Sequence, residues 1–139
     1  MRARPIILVV DKSIALLKTY EQLFSSLEEL KSFDLVTRPS AEAALGFLSG
    51  KRAGEKKPAV IILGIHVQDL DALTFLDIIK SDFRWRNIPV IISAGSKSNA
   101  QIALVRSRQA CDFLLKPLQT RAVVGIIERA LRPRSAGWG

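Results

Sequence analysis

Five short apolar runs recur along the chain, separated by segments in which apolar residues return with a helical period. The runs are PIILVV (5–10), FDLVTR (33–38), AVIIL (59–63), IPVIIS (88–93) and CDFLLK (111–116). Three of them are almost unbroken and rich in Val and Ile, which is typical of strands covered on both faces. The pattern predicts five β-strands.

The segments between and after these runs carry helix signals. Side chains that cap a first helical turn, or that directly precede an amphipathic run, stand at five positions: Ser13, Ser40, Asp71, Ser98 and Thr120. Gly50 is predicted to end the second helix in a left-handed conformation. The pattern therefore predicts five helices.

Strands that alternate with helices indicate βα units joined by right-handed crossovers. The predicted fold class is α/β, a doubly wound five-stranded parallel sheet with five helices. Residues 1–132 are expected to form one domain, and 133–139 a flexible C-terminal tail. A chain of 139 residues is long enough to bury a core without covalent cross-links.

The net charge of +8 raises the question of nucleic acid. The 21 Lys and Arg residues are spread along the whole chain, and no block of five like charges occurs. A nucleic-acid partner is therefore disfavoured, since acidic protein partners account for the charge equally well.

The composition gives little support for a membrane span, a secreted protein or a zinc site. The apolar runs of five or six residues are too short to cross a bilayer, and the first residues lack the cleavage site of a signal peptide. The single cysteine, Cys111, excludes an internal disulfide and favours a cytoplasmic location. With His66 as the only histidine, no zinc cluster is expected.

The chemistry of such a sheet lies at the carboxyl ends of its strands. Polar or special residues follow four of the predicted strands there: Asp11, Lys12, Gly64, Ser93, Lys116 and Pro117. The third predicted strand, AVIIL, is followed by Gly64, a residue with no side chain.

Three segments, ILVVD, IPVIISAGS and DFLLKP, carry a resemblance to a known family. In order and spacing they resemble the receiver domain of bacterial response regulators, a flavodoxin-like phosphoacceptor module, over residues 5 to 132. The segment IIKSDFRWRNIPVII also looks like the single-domain receivers paired with phytochrome-type sensor kinases.

The resemblance implies a specific chemistry. In working receivers the first strand ends in two acidic residues and the third in the phosphorylated Asp. These carboxylates hold Mg²⁺, which prefers oxygen ligands. The metal and a Lys offset charge on the transferred phosphoryl group, and a Ser or Thr hydroxyl bonds to it.

Carried over to this chain, the family pattern is only partly met. Asp11 matches the first acidic residue, whereas Lys12 stands where the second should be. The other matches are Ser93 for the hydroxyl, Ala94 for the small residue after it, Lys116 and Pro117 for a Lys-Pro pair whose peptide bond is commonly cis, and Phe113 for the aromatic switch.

The phosphoacceptor position is the main departure. Aligning DLDAL with the loop of the family, which ends in Asp-Gly, places Asp71 at the Asp and Ala72 at the Gly. Counting back seven residues puts Gly64 at the acceptor, with Gln68 in place of a Pro. Glycine cannot accept a phosphoryl group. At ~4 Å and an effective dielectric near 20, the Lys12 charge opposes a cation by about 4 kcal/mol. No metal, no cofactor and no catalytic residue are expected.

Several site residues admit two interpretations. Lys12 either pairs with Asp11 or points to solvent. Lys116 either binds an anion or forms a structural pair with Asp11. Ser93 either bonds a ligand or is satisfied by the backbone, and Phe113 is either a switch or a fixed packing residue.

The loop after the third strand also leaves two interpretations open. In one interpretation Asp69 and Asp71 are substitute phosphoacceptors. In the other, Asp71 is a helix cap. His66 is expected to be a solvated ring, and Cys111 a small packed residue.

The leading hypothesis is an atypical receiver, a pseudo-receiver, that acts in two-component signalling through phosphorylation-independent protein contact and is not an enzyme. The expected partners are a sensor kinase or an output protein with an acidic surface, or a second copy. The expected face comprises the helices after Ser98 and Thr120 and the fifth strand. Its cations are Arg106, Arg108, Arg121 and Arg129. The alternatives are a relay receiver phosphorylated at Asp69 or Asp71, and a basic nucleic-acid-binding adaptor.

Overall fold

The structure is a computed structural model that describes residues 4–50, 57–65, 70–95 and 112–132. All five predicted strands are present in these ranges: β1 (Ile6–Val10), β2 (Asp34–Arg38), β3 (Pro58–Ile65), β4 (Val90–Ala94) and β5 (Asp112–Leu115). The Val and Ile runs form the three central strands, and almost every residue of these strands is buried.

The helices that the structure describes are α1 (Ile14–Ser26), α2 (Ala41–Ser49), α3 (Leu70–Ser81) and α4 (Thr120–Leu131), with a 3₁₀ turn at Glu28–Leu30. The predicted caps of α1 and α2 are confirmed, because the Ser13 hydroxyl accepts from the Leu16 N–H and that of Ser40 from the Ala43 N–H. The helix predicted after Ser98 lies outside the described residues.

Three helix-end predictions were wrong. The third helix begins at Leu70, so Asp71 lies inside its first turn and does not precede it. The last helix begins at Thr120 itself. Gly50 ends α2 with right-handed backbone angles, φ −74° and ψ −8°, because its N–H still bonds to the helix carbonyl of Gly46.

The sheet is parallel throughout, with strand order β2-β1-β3-β4-β5. Two β-strands lie on each side of the central strand β3, so the carboxyl ends of β1, β3 and β4 are neighbours. The predicted doubly wound α/β fold class is confirmed.

The core has two layers, one on each face of the sheet. Leu8, Val10 and Leu63 point to the face covered by α2 and α3, where they pack with Phe75 and Trp85. Ile7 and Val9 point to the other face, covered by α1 and α4. Alternate residues of β1 thus supply both layers, which explains why this strand reads as an unbroken apolar run.

Strand β3 is longer at its carboxyl end than predicted. It was expected to stop at Leu63, but its pairing with β4 continues through Gly64 with Ser93 and Ile65 with Ala94. Gly64 therefore lies inside the strand. None of the helices in the described part of the chain is long and apolar enough to cross a membrane.

Candidate functional site

Asp11 is a buried polar residue at the centre of the carboxyl edge of the sheet. It directly follows β1, and its N–H extends the pairing with β2 by donating to the Arg38 carbonyl at 3.1 Å. Only 2% of the residue is exposed. Its Oδ1 accepts from the Ser13 N–H at 2.9 Å, which ties the carboxylate to the start of α1.

Lys116 supplies the charge that offsets this carboxylate. Its Nζ lies 2.9 Å from Asp11 Oδ2, with 17% of the lysine side chain and 1% of the aspartate side chain exposed. The Lys116 N–H donates to the Ala94 carbonyl at 2.9 Å, and the Lys116–Pro117 peptide bond is cis. Of the two interpretations of Lys116, the structure supports the structural pair. Lys12 is exposed.

Gly64 lies directly against the Asp11 carboxyl group. A Cβ atom on residue 64 would lie 2.0 Å from Asp11 Oδ2 and 2.6 Å from Asp11 Cγ. No real Cβ approaches another atom so closely, so any side chain at position 64 requires Asp11 to move. The space that a side chain at the acceptor position would fill is occupied by the Asp11 carboxylate.

A buried pair of hydroxyls, Tyr20 on α1 and Ser93 on β4, adjoins Asp11. Burial raises the pKa of Tyr20 well above its usual value of 10.0; the Ser93 hydroxyl acts in the opposite direction, and the Asp11 charge adds to the rise. Neither hydroxyl has a hydrogen-bond partner of good geometry among the described residues. The backbone partner expected for Ser93 is thus not found there.

Tyr20 was not recognised as a site residue from the sequence. Its place in the apolar stripe of α1 predicts burial, and it is fully buried. The signal that was available is chemical, because a phenol in such a stripe brings a hydroxyl that needs a polar neighbour. At this position the polar neighbours are Ser93 in β4 and Asp11, which directly follows β1.

A groove of about 390 Å³ opens beside Gly64, between α2 and α3. Its walls are mainly apolar and include Leu45, Phe75 and Ile78, and its lining also includes Asp11 and Gly64. No sequence pattern indicates this groove, since it depends on how α2 and α3 pack above the sheet.

The residues at this edge do not fit the Mg²⁺ ion that the fold family implies. Asp11 contributes one carboxylate, and its Oδ2 is held by Lys116 at 2.9 Å. Gly64 contributes no side-chain oxygen, and residue 12 is a lysine. Across the described ranges, no three side chains of His, Cys, Asp or Glu gather closely enough to hold a metal.

Other predicted site residues lie at the margins of this edge. Ala94 ends β4 fully buried, and Phe113 in β5 is half-buried against the layer under α2 and α3. Pro117 is exposed. Six of the residues that were singled out from the sequence lie outside the described ranges: His66, Gln68, Asp69, Arg106, Arg108 and Cys111. The predicted tail 133–139 lies outside them as well, and nothing is described of the Asp71 side chain.

The two described cations of the predicted partner face already have anionic neighbours in the chain. Arg121 pairs with Glu29 beside α1, and Arg129 pairs with Asp112 at 3.1 Å. A backbone hydrogen bond and, to a smaller extent, the Arg121 guanidinium lower the pKa of Glu29. Part of the positive charge expected on this face is thus offset within the domain.

This architecture, with strand order 2-1-3-4-5 and a polar centre at the carboxyl edge, is the CheY-like fold of response-regulator receiver domains. The bacteriophytochrome response regulator RtBRR superposes with a TM-score of 0.79 at 20% identity, over 96% of this chain and 81% of that one. At this identity the likeness concerns the fold.

Sequence similarity adds to the structural likeness. The receiver domain of NtrX from Brucella abortus is 29% identical, with a TM-score of 0.71 over 90% of this chain and 97% of that one. The chemotaxis protein CheV2 of Helicobacter pylori is 26% identical over 116 residues, 84% of this chain but 36% of CheV2. No protein-family model matches the chain.

Together, the relatives and the structural neighbours support a response-regulator receiver domain of two-component signalling. Two of the structural neighbours are bacteriophytochrome response regulators, at 20% and 21% identity, and their likeness again concerns the fold alone. The chain spans about half or less of the length of curated relatives such as CheV2 and a rice response regulator.

Proposed function

We propose that this receiver domain acts by protein contact and does not carry a phosphoryl group at the end of its central strand. The observation that carries the proposal is the relation between Gly64 and Asp11. The acceptor position has no nucleophile, and the space for one is filled by a carboxylate already paired with Lys116.

The electrostatics of the edge support the same proposal. In a working receiver, metal binding and phosphoryl transfer require several oxygen ligands and a lysine that is available to the phosphoryl group. Here the lysine is 2.9 Å from Asp11. Breaking this buried pair to engage a phosphoryl group would leave a charge uncompensated, which is costly in a buried site.

The proposed partners are a sensor kinase, an output protein or a second copy, met in the cytoplasm as the lone cysteine favours. The basic overall composition suits acidic surfaces. In this proposal the chain is not an enzyme, because the acceptor position carries no nucleophile and the Asp11 carboxylate is already paired with Lys116.

The test is incubation with acetyl phosphate and Mg²⁺, followed by intact mass measurement at neutral pH. The wild-type chain is expected to gain no phosphoryl group. A matched double variant, Asp69→Asn with Asp71→Asn, separates the alternatives. An adduct on the wild-type chain that disappears in the double variant would favour a relay receiver with a displaced acceptor, and would overturn the proposal.

A further inference from the structure

The turn between α3 and β4 exposes a large apolar ring. Phe83 is 79% exposed, more than any other large apolar side chain in the described ranges; the next, Ile14, is 54% exposed. A single exposed apolar residue is common on protein surfaces. Phe83 differs from such a residue in how firmly its backbone is held and in what surrounds it.

The turn is fixed from both ends. Trp85 and Ile88 are buried, at 4% and 7% exposure, and anchor the turn in the layer under α2 and α3. The N–H groups of Trp85 and Arg86 both donate to the Asp82 carbonyl, at 3.0 and 2.8 Å, and the Ile88 N–H donates to the Trp85 carbonyl at 2.9 Å.

Lys80 on α3 also holds the turn in place. The Lys80 ammonium donates to the carbonyls of Arg86 and Ile88, at 3.1 and 2.6 Å. The backbone that presents Phe83 is therefore largely ordered before any contact is made. A preordered surface loses little conformational entropy on binding, so more of the contact energy appears as affinity.

The turn that carries Phe83 holds two arginines, Arg84 and Arg86, and one aspartate, Asp82. The Arg84 guanidinium lies 4.2 Å from the centre of the Trp85 ring and donates to both Asp82 oxygens, at 3.0 and 2.8 Å. These bonds lower the pKa of Asp82 to about 2, so Asp82 stays ionised at neutral pH. Arg86 is exposed on the same turn, and the positive charge of Lys57 acts on Asp82.

An exposed aromatic ring held next to arginines has the composition of an interface centre. We propose that the turn 82–88 is a docking surface for a protein partner that offers an apolar pocket with an acidic rim. The ring of Phe83 would enter the pocket, and Arg86 would face the rim. The proposal goes beyond contact at the carboxyl edge, because it places a second surface at the opposite edge of the sheet, where β4 begins.

A protein suits this surface better than a nucleic acid. Single-stranded nucleic acid is held by several aromatic rings along a basic groove, whereas the second ring of this turn, Trp85, is buried. The Arg84 guanidinium is already engaged by Asp82, and the Asp82 carboxylate would repel phosphates.

The experiment replaces Phe83 by the photo-reactive analogue p-benzoylphenylalanine in cells of the source organism, with Ser25 on the exposed side of α1 as the control position. Proteins that cross-link only from position 83 are purified. Their binding to the wild-type chain is then compared with that of three variants: Phe83→Ser, Arg86→Glu and Ile14→Ser. Phe83→Ser should keep the unfolding midpoint, since the ring is 79% exposed. Ile14→Ser removes an apolar side chain at the carboxyl edge.

The proposal expects a captured protein whose affinity falls at least tenfold with Phe83→Ser and with Arg86→Glu, weakens with added salt, and is unchanged by Ile14→Ser. It is overturned if nothing is captured from position 83, if nucleic acid or a second copy is captured, or if Phe83→Ser binds like wild type. Binding that is lost with Ile14→Ser alone would also overturn it, while leaving protein contact at the carboxyl edge intact.

Discussion

Gly64 and Asp11 share a single side-chain space: a Cβ on residue 64 would lie 2.0 Å from Asp11 Oδ2. Two adjacent strands of the sheet thus contribute one carboxylate between them at this point. The aspartate at the end of β1 occupies the space and forms the ion pair with Lys116. The one carboxylate at this point of the carboxyl edge is therefore already paired with a lysine.

The shared space predicts strong coupling between the two residues. Gly64→Ala forces Asp11 away from its bonds to Lys116 and Ser13, and should lower the free energy of unfolding by about 1–3 kcal/mol. In an Asp11→Ala background the same change should cost much less, giving a coupling energy within about 0.5–3 kcal/mol. Denaturant unfolding of the four proteins measures this cycle. Additive costs would show that the side chain of Asp11 does not fill the space.

The ion pair predicts an asymmetric response to mutation. Lys116→Met leaves the buried Asp11 charge without its partner and should destabilise the domain, toward the lower end of about 3–5 kcal/mol because Lys116 is 17% exposed. Adding Asp11→Asn should recover part of this loss. Lys18→Met, on the exposed side of α1, is the matched control and should stay within about 0.5 kcal/mol. Equal effects of the two lysine changes would contradict the buried pair.

Tyr20 predicts a loss of stability at alkaline pH. The pKa of Tyr20 is raised in the folded state above the usual 10.0, so the neutral phenol stabilises the fold fully below that pH. This contribution is lost as the pH rises above 10 toward the folded-state pKa. The chain has one tyrosine, so tyrosinate absorbance reports on it alone. Tyr20→Phe should flatten the alkaline decline, and a native-state titration midpoint near 10 would contradict the burial.

The Ser13 cap of α1 gives a prediction about the helix start that contacts Asp11. Ser13→Ala removes the bond that its hydroxyl accepts from Leu16 N–H at 3.2 Å, but keeps the backbone N–H that donates to Asp11. The expected cost is about 1 kcal/mol. Ser25→Ala, on the exposed surface of the same helix, is the control and should be close to neutral. Thermal unfolding compares the two, and equal midpoints would exclude a stabilising cap.

Much of the fold could be predicted from local patterns of apolar and polar residues in the sequence. Strands buried on both faces leave long Val and Ile runs, and serine caps leave polar residues at fixed offsets from apolar stripes, so β1, β4 and the starts of α1 and α2 were predictable. The extension of β3 was not. A glycine weakens a strand pattern, and only the ladder with β4 carries the strand through Gly64.

Most members of the site were predictable, although Tyr20 was missed, and the pair of Lys116 with Asp11 was one of two interpretations left open by the sequence. The carboxyl ends of parallel strands bring Asp11, Gly64 and Lys116 together for topological reasons. The sequence cannot show that Asp11 would fill the space over Gly64, because that depends on a side-chain direction set by Ser13 and Lys116. Nor does it show that Phe83 is exposed while Trp85, two residues later, is buried.

We infer that the carboxyl edge neither binds Mg²⁺ nor accepts a phosphoryl group. The most direct measurement is the amide NMR spectrum of the wild-type chain titrated with Mg²⁺, alone and then with beryllium fluoride, a mimic of the phosphoryl group. We expect no saturable shifts at Asp11, Gly64, Ser93 or Lys116. Saturable shifts of these amides with Mg²⁺, enlarged by beryllium fluoride, would contradict this inference.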